Sequence, residues 1–144
     1  LGLDARTMIK KSAFRGVLGR FLVWAGAVPI DRGARDGVIG QSIAMMGQRT
    51  SLLLLLAPEG TREGATEWKR GFHHIALGAK VPILAVACNY QTKLITFGPT
   101  LMPCADYAAD LAQTLRFVHE HGHPRHVDRL SQPLRELRKP EPPP

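Results

Sequence analysis

SLLLLLAPEGTR, residues 51–62, decides how the rest of the chain is read. Five consecutive leucines fit a buried strand or a short buried helix, and the shortness of the run, with Pro58 and Gly60 at its exit, favours the strand. Such a strand hands the chain to a turn at a sheet edge. That turn carries Glu59, Gly60, Thr61 and Arg62: a carboxylate, a residue free to take positive φ, a hydroxyl and a guanidinium. A guanidinium presents paired N–H donors that match phosphate or carboxylate oxygens, so Arg62 suits an anionic substrate group. A plainer reading stands beside it, in which Glu59 and Arg62 pair with each other and close the turn.

Upstream, Arg6 to Lys11 reads as a short strand ending in two lysines, Lys10 and Lys11. Phe14, Val17, Leu18, Phe21, Leu22 and Ala25 then fall at the spacing of an amphipathic helix with that stripe turned inward, stopped by Gly26. Arg15 and Arg20 flank the stripe and make a basic outer side, either a solvated face or a contact for a lipid surface. Ala27 to Ile30 is a second short strand, with Asp31 and Arg32 at its exit. Asp36 suits the N-cap of a helix from Gly37 to Gln48, whose apolar side is Val38, Ile39, Ile43 and Met46.

Downstream, Trp68 to Phe72 opens a helix with Phe72, Ile75, Ala76 and Ala79 on one side and Lys80 at its end. His73 and His74 are adjacent and point in different directions on a helix, so one of them could line a site; with no carboxylate at a triad or metal-ligand spacing, they read first as packing or surface residues. Val81 to Cys88 is a second buried strand, and Lys93 to Phe97 a further one that Gly98-Pro99 closes. Asp106 caps a last helix through Glu120, with Leu111, Leu115 and Val118 inward. Strands alternating with helices define an α/β fold: one layered domain, residues 1–122, with a mixed, largely buried sheet flanked by helices. Residues 123–144, with six of the eleven prolines, read as a disordered Pro-rich tail.

Composition narrows the function. With 44% hydrophobic and 22% charged residues this is an ordinary globular chain, and its formal charge of +7 points to an anionic partner: a phosphorylated metabolite, an anionic lipid surface or nucleic acid. Nucleic acid is set aside because the chain lacks interleaved stacking aromatics and a recognition helix. No apolar run approaches the roughly 20 residues that span a bilayer. Cys88 and Cys104 form no zinc or disulfide spacing and read as buried or half-buried thiols. His119, His121, His123 and His126 cluster, but Gly122 and Pro124 break the helix among them, so no metal site is expected. The chain opens on Leu1 rather than a methionine, which reads as a fragment or processed product.

Several of these pieces line up with one family. The chain resembles the glycerolphosphate and lysophosphatidate acyltransferases, and within them the small bacterial branch. Pro58 to Arg62 stands for the family's strand-end Pro-Glu-Gly-Thr-Arg, and Gly26-Ala27-Val28-Pro29-Ile30-Asp31-Arg32 for its Gly-x-x-x-Ile-Asp-Arg segment. Lys10 or Lys11 supplies the lysine that leads into a helix, Val81-Pro82-Ile83 the later strand, and Trp68-Lys69-x-Gly71-Phe72-x-x-Ile75-Ala76 the branch-specific run. The resemblance covers Lys10 to Gly98.

The resemblance implies a glycerolphosphate acyltransferase-like α/β domain. In it a hydroxyl of a lysophospholipid acceptor attacks an acyl thioester carried by coenzyme A or acyl carrier protein, with no other cofactor and no metal. It implies that Arg32 and Arg62 hold the acceptor phosphate with Lys10 close to the same pocket, that Gly60 lets the turn approach it, that Glu59 fixes the turn or the hydroxyl end of the acceptor, and that Thr61 belongs to the same substrate-binding turn. It also implies a catalytic His-x-x-x-x-Asp ahead of the lysine. Nothing between Leu1 and Lys10 supplies that pair, and the literal match at His123 to Asp128 lies at the wrong end and spans Pro124. The catalytic residues are expected upstream of Leu1, and the protein on the cytoplasmic face of a membrane as a peripheral partner. The other reading is a non-catalytic relative that binds anionic lipid or coenzyme A.

Overall fold

A computed structural model describes residues 4–31, 33, 37–49, 51–61 and 64–138. They fall into two compact units, Leu1–Ala57 and Pro58–Pro144.

The first unit is a parallel sheet with helical crossovers. Strands β1 (Ala5–Lys10), β2 (Ala27–Ile30) and β3 (Leu53–Leu55) lie in the order β2-β1-β3. Lys10 pairs in register with Ile30, and Thr7 with both Ala27 and Leu55. All three strands run the same way; Lys10 and Ile30 end level with each other, while Leu55, opposite Thr7, ends three residues short of them. Helix α1 (Gly16–Trp24) joins β1 to β2, as a parallel connection requires. Gly26 makes the turn between them at φ 84°, where a Cβ would stand 2.9 Å from the Ala5 carbonyl oxygen, so only glycine fits. Helix α2 (Gly37–Gly47) presents Ser42, fully buried, to β1: its hydroxyl donates to the Val38 carbonyl at 2.7 Å and its Oγ lies 3.1 Å from Met8 Sδ.

Two expectations fail in this unit. Most of the stripe of α1 read as inward faces out, with Val17 85%, Leu18 58% and Phe21 57% exposed, while Phe14 and Leu22 are half-buried. Gly19 is the buried residue of that helix, its Cα set close against the Phe14 main chain, where a Cβ would stand 2.7 Å from the Phe14 carbonyl carbon. The leucine run is an edge strand of three residues: Leu53 and Leu54 are half-buried, while Leu55 and Leu56 are exposed. An edge strand has a neighbour on one side only, which leaves more of its surface uncovered. The Asp36 cap lies outside the described residues.

The second unit is a helix-backed hairpin. Strands β4 (Ile83–Asn89) and β5 (Leu94–Leu101) pair antiparallel, with an irregularity in register between Leu84 and Val86. The fold class is therefore mixed α/β as expected, with two sheets in place of a single layer. Gly98-Pro99 does not close β5 but sits inside it. The strand has one partner, so a proline costs no second ladder, and the missing Cβ at Gly98 admits the Phe117 ring, whose atoms lie 3.0 Å from where a Cβ would be. Cys88 is exposed on β4 and Cys104 on the loop after β5, against the buried or half-buried thiols expected.

Helix α3 (Gly71–Ala79) ends at Lys80 in the left-handed conformation, φ 55°, with N–H groups of Lys80 and Val81 returned to the last turn. Helix α4 (Tyr107–His121) starts at Asp106, whose carboxylate accepts from the N–H groups of Ala108 and Ala109, the cap read from sequence. Trp68, Leu115 and Leu134 form the core, with Phe72, Leu111, Val118 and Leu130 packed against them. Leu134 sits on α5 (Gln132–Glu136), and Trp68 Nε1 donates to Ser131 Oγ at 2.9 Å, where Ser131 is fully buried. Residues 123–138 thus belong to the fold rather than to a tail, and residues 139–144 lie outside the described ones.

Candidate functional site

Two of the residues singled out from sequence, Arg32 and Arg62, lie outside the described residues. Lys10 belongs to the first unit, and Glu59, Gly60 and Thr61 to the second, so each is placed within its own unit.

In the first unit, Lys10 is the exposed last residue of the central strand. The adjacent Lys11 reaches Asp31 at 3.6 Å, a solvated pair worth a fraction of a kcal/mol to about 1 kcal/mol. Asp31 is held more firmly by its main chain. Gln41 of α2 accepts from the Asp31 N–H at 3.2 Å and donates to its carbonyl at 2.7 Å. The Asp31 carboxylate accepts from the Gly33 N–H at 3.0 Å, the local bond that makes Asp a turn former. The exit of β2 is therefore fixed from α2, a role for Gln41 that its position in the helix does not announce.

In the second unit, Gly60 takes φ 63° and Glu59 is half-buried while Thr61 is exposed. The Lys69 main chain closes over this turn, its N–H donating to the Pro58 carbonyl at 2.9 Å. The Lys69 side chain then lies along Gly60, with Cδ, Cε and Nζ each 3.0 Å from the position a Cβ would take. An ammonium at that turn adds a cation that the reading of the turn alone overlooked. The run Trp68-Lys69 was the signal available, since burial of Trp68 fixes where Lys69 emerges.

The second unit also holds a His–Asp pair that no sequence spacing suggested. His73 of α3 and Asp110 of α4 lie 2.9 Å apart through Nε2 and Oδ2, with side-chain exposures of 3% and 6%. Burial pushes the Asp110 carboxyl up, but the Cys104 backbone N–H, the His73 ring and the Cys104 thiol outweigh it and leave the group below its ordinary value. With Asp110 ionised, His73 Nε2 carries the hydrogen and donates. His73 Nδ1 is buried without a partner among the described residues. A base for acyl transfer has to reach a substrate hydroxyl, and this enclosed pair does not; it joins α3 to α4 as a buried polar link. His74, the other half of the sequence pair, is exposed.

The C-terminal histidines are dispersed. His121 stacks on Phe117 at 4.4 Å, and His123 is bonded through its main chain to β4. Among the described residues no group of three His, Cys, Asp or Glu side chains is arranged to hold a metal, and no helix is long and apolar enough to cross a membrane.

A family model, Acyltransferase, matches residues 3–89, which is more than half of the chain and takes in β1 through β4 and the Gly60 turn. The chain belongs to the acyltransferase family, and its chemistry is the transfer of acyl groups. Comparison with curated proteins and with solved structures gives no match.

Proposed function

We propose that this chain provides the acceptor-binding part of an enzyme that moves a fatty acyl group from a thioester to a hydroxyl of a lysophosphatidate-like glycerol phosphate, in phospholipid synthesis. The observation that carries the reading is Lys69 lying along Gly60, which adds a cation to a turn that already bears Arg62 in sequence. Arg62 and Lys69 take the acceptor phosphate, Gly60 allows close approach, and Glu59 and Thr61 complete the turn; Lys10 and Arg32 are the residues assigned to acceptor binding in the first unit.

The chemistry follows the family. A base removes the acceptor hydroxyl proton as the oxygen attacks the thioester carbonyl, the tetrahedral adduct collapses, and the thiol of coenzyme A or acyl carrier protein leaves with a proton. No protein residue is acylated, and the thioester is a co-substrate rather than a bound cofactor. The base is a His oriented by an Asp, from a His-x-x-x-x-Asp that these 144 residues do not carry ahead of Lys10. His123 and Asp128 do not substitute, because they follow Lys10 rather than precede it, and the Asp128 side chain is 77% exposed beside Arg129.

Attachment to the cytoplasmic face of a membrane is part of the same proposal. Support comes from α1, whose exposed Val17, Leu18, Phe21 and Trp24 are flanked by the exposed Arg15 and Arg20, the pattern of an interfacial helix on anionic lipid.

The 144-residue chain should bind glycerol 3-phosphate yet give no acyl transfer from an acyl thioester. Turnover above a protein-free blank contradicts the assignment of the base to a residue outside this chain. The second reading, a relative that holds anionic lipid or coenzyme A without turnover, rests on the same missing pair. It predicts no transfer even when a polypeptide carrying the His-x-x-x-x-Asp ahead of Leu1 is assayed.

A further inference from the structure

The turn between β4 and β5 forms one wall of a cleft of about 560 Å³, lined by Tyr90, Gln91, Lys93, His123, Pro124 and Arg125. All six lie beyond residue 89, where the family match ends. Two separate stretches build the cleft, and both are fixed by main-chain bonds. The Asn89 side chain accepts from the N–H groups of Gln91 and Thr92, each at 3.0 Å, and Lys93 completes the turn at φ 61°. Across from it, Tyr90 N–H donates to the His123 carbonyl at 2.8 Å and His123 N–H to the Cys88 carbonyl at 3.1 Å, a parallel bridge between Asn89 and His123. Arg138 donates to the Gly122 carbonyl at 2.9 Å and holds the far side of that stretch. Walls joined in this way need little ordering when a ligand arrives.

The lining is basic and uncommitted. It contains Lys93, His123 and Arg125 and no carboxylate. Among the described residues the side chains of Tyr90, Lys93, His123 and Arg125 make no hydrogen bond or ion pair, whereas Arg129, Arg135 and Arg138 of the same segment are engaged with Asp128 or with main-chain carbonyls. Cations held together in a concave site without a counter-charge raise the local potential and draw an anion. The Arg125 fork and the Lys93 ammonium suit phosphate oxygens. Tyr90, 51% exposed, and Pro124 offer flat apolar surface beside those charges. The volume lies within the roughly 300–1,000 Å³ of small-molecule sites and exceeds what a bare phosphate needs.

We propose that this cleft binds a nucleoside phosphate, with its phosphate on Lys93 and Arg125 and its base against Tyr90. The test is calorimetric titration of the 144-residue chain at low salt with ADP, adenosine, inorganic phosphate and glycerol 3-phosphate. ADP should bind, phosphate should bind at least about tenfold more weakly, adenosine should not register, and glycerol 3-phosphate should not displace ADP. Arg125→Ala and Lys93→Asn should each weaken ADP about tenfold or more, Asn being tolerated at positive φ, while Arg116→Ala, at an exposed position of α4, should change nothing. Amide shifts in NMR should centre on Gln91, Lys93 and Arg125. No binding of ADP at millimolar concentration, equal affinity in folded Arg125→Ala and Lys93→Asn chains, or shifts centred elsewhere would each overturn the proposal.

Discussion

His73 Nε2 stands 2.9 Å from Asp110 Oδ2, between two helices and shut away from solvent, with the Cys104 backbone N–H donating to the same carboxylate oxygen at 2.8 Å. Three segments of the second unit meet at that one carboxylate. Removing it strands the His73 ring, whose other nitrogen already has no partner among the described residues. Asp110→Ala should therefore cost on the order of 3–5 kcal/mol, read by urea unfolding; a loss under about 1 kcal/mol would show that the link carries little.

The same pair sets an acid limit. Asp110 titrates lower in the folded protein than in the unfolded chain, so its contribution is fully present above the ordinary carboxylate range and is lost as pH falls through the folded-state value. Stability should fall more steeply below about pH 4 in the wild type than in Asp110→Asn, which has no proton to take up. Parallel acid curves for the two would contradict this sign.

Ser131 and Leu134 tie the C-terminal segment to Trp68. Leu134→Ala should destabilise by about 2–5 kcal/mol, and Ser131→Ala, which leaves the indole N–H unpaired, by about 1–3 kcal/mol. Thermal or urea melts followed by Trp fluorescence provide the reading. Neutral effects would mean that residues 123–138 do not hold the core.

Helix α1 should carry the membrane contact. Vesicles containing anionic phospholipid should take up the chain, and Phe21→Ser with Trp24→Ser should reduce uptake by tenfold or more, since each buried aromatic side chain is worth roughly 1.5–3 kcal/mol. Arg15→Glu with Arg20→Glu should weaken it and flatten its salt dependence. Unchanged sedimentation with vesicles for both pairs would remove α1 from that role.

Much of the fold was legible locally. The change of period after Lys10, the glycine at 26, the Asp106 cap and the Lys80 helix end are short-range signals, and the elements they bound appear within a few residues of where the sequence sets them. Periodicity told that α1 has an apolar stripe but not which side is covered, because that depends on what lies against it. The leucine run looked buried from composition, yet pairing on one side leaves Leu55 and Leu56 exposed. Prolines 124 and 133 suggested a tail, although Pro133 sits in the first turn of α5, where its missing N–H does no harm. The His73–Asp110 link spans 37 residues, and no local pattern encodes such a distance. Within the site, the turn at Gly60 was readable from its motif, while the contribution of Lys69 depends on how Trp68 is buried.

The central claim is that the Gly60 turn holds the acceptor phosphate. Its most direct test is the affinity of the 144-residue chain for glycerol 3-phosphate in the wild type, Arg62→Ala, Lys69→Met and Gly60→Ala. Each lost charge-assisted contact is worth roughly 1.5–3 kcal/mol, so Arg62→Ala and Lys69→Met should each weaken binding about tenfold to a hundredfold. Gly60→Ala, forced into positive φ and against Lys69, should also weaken it. Affinity unchanged in folded Arg62→Ala and Lys69→Met chains would contradict the account.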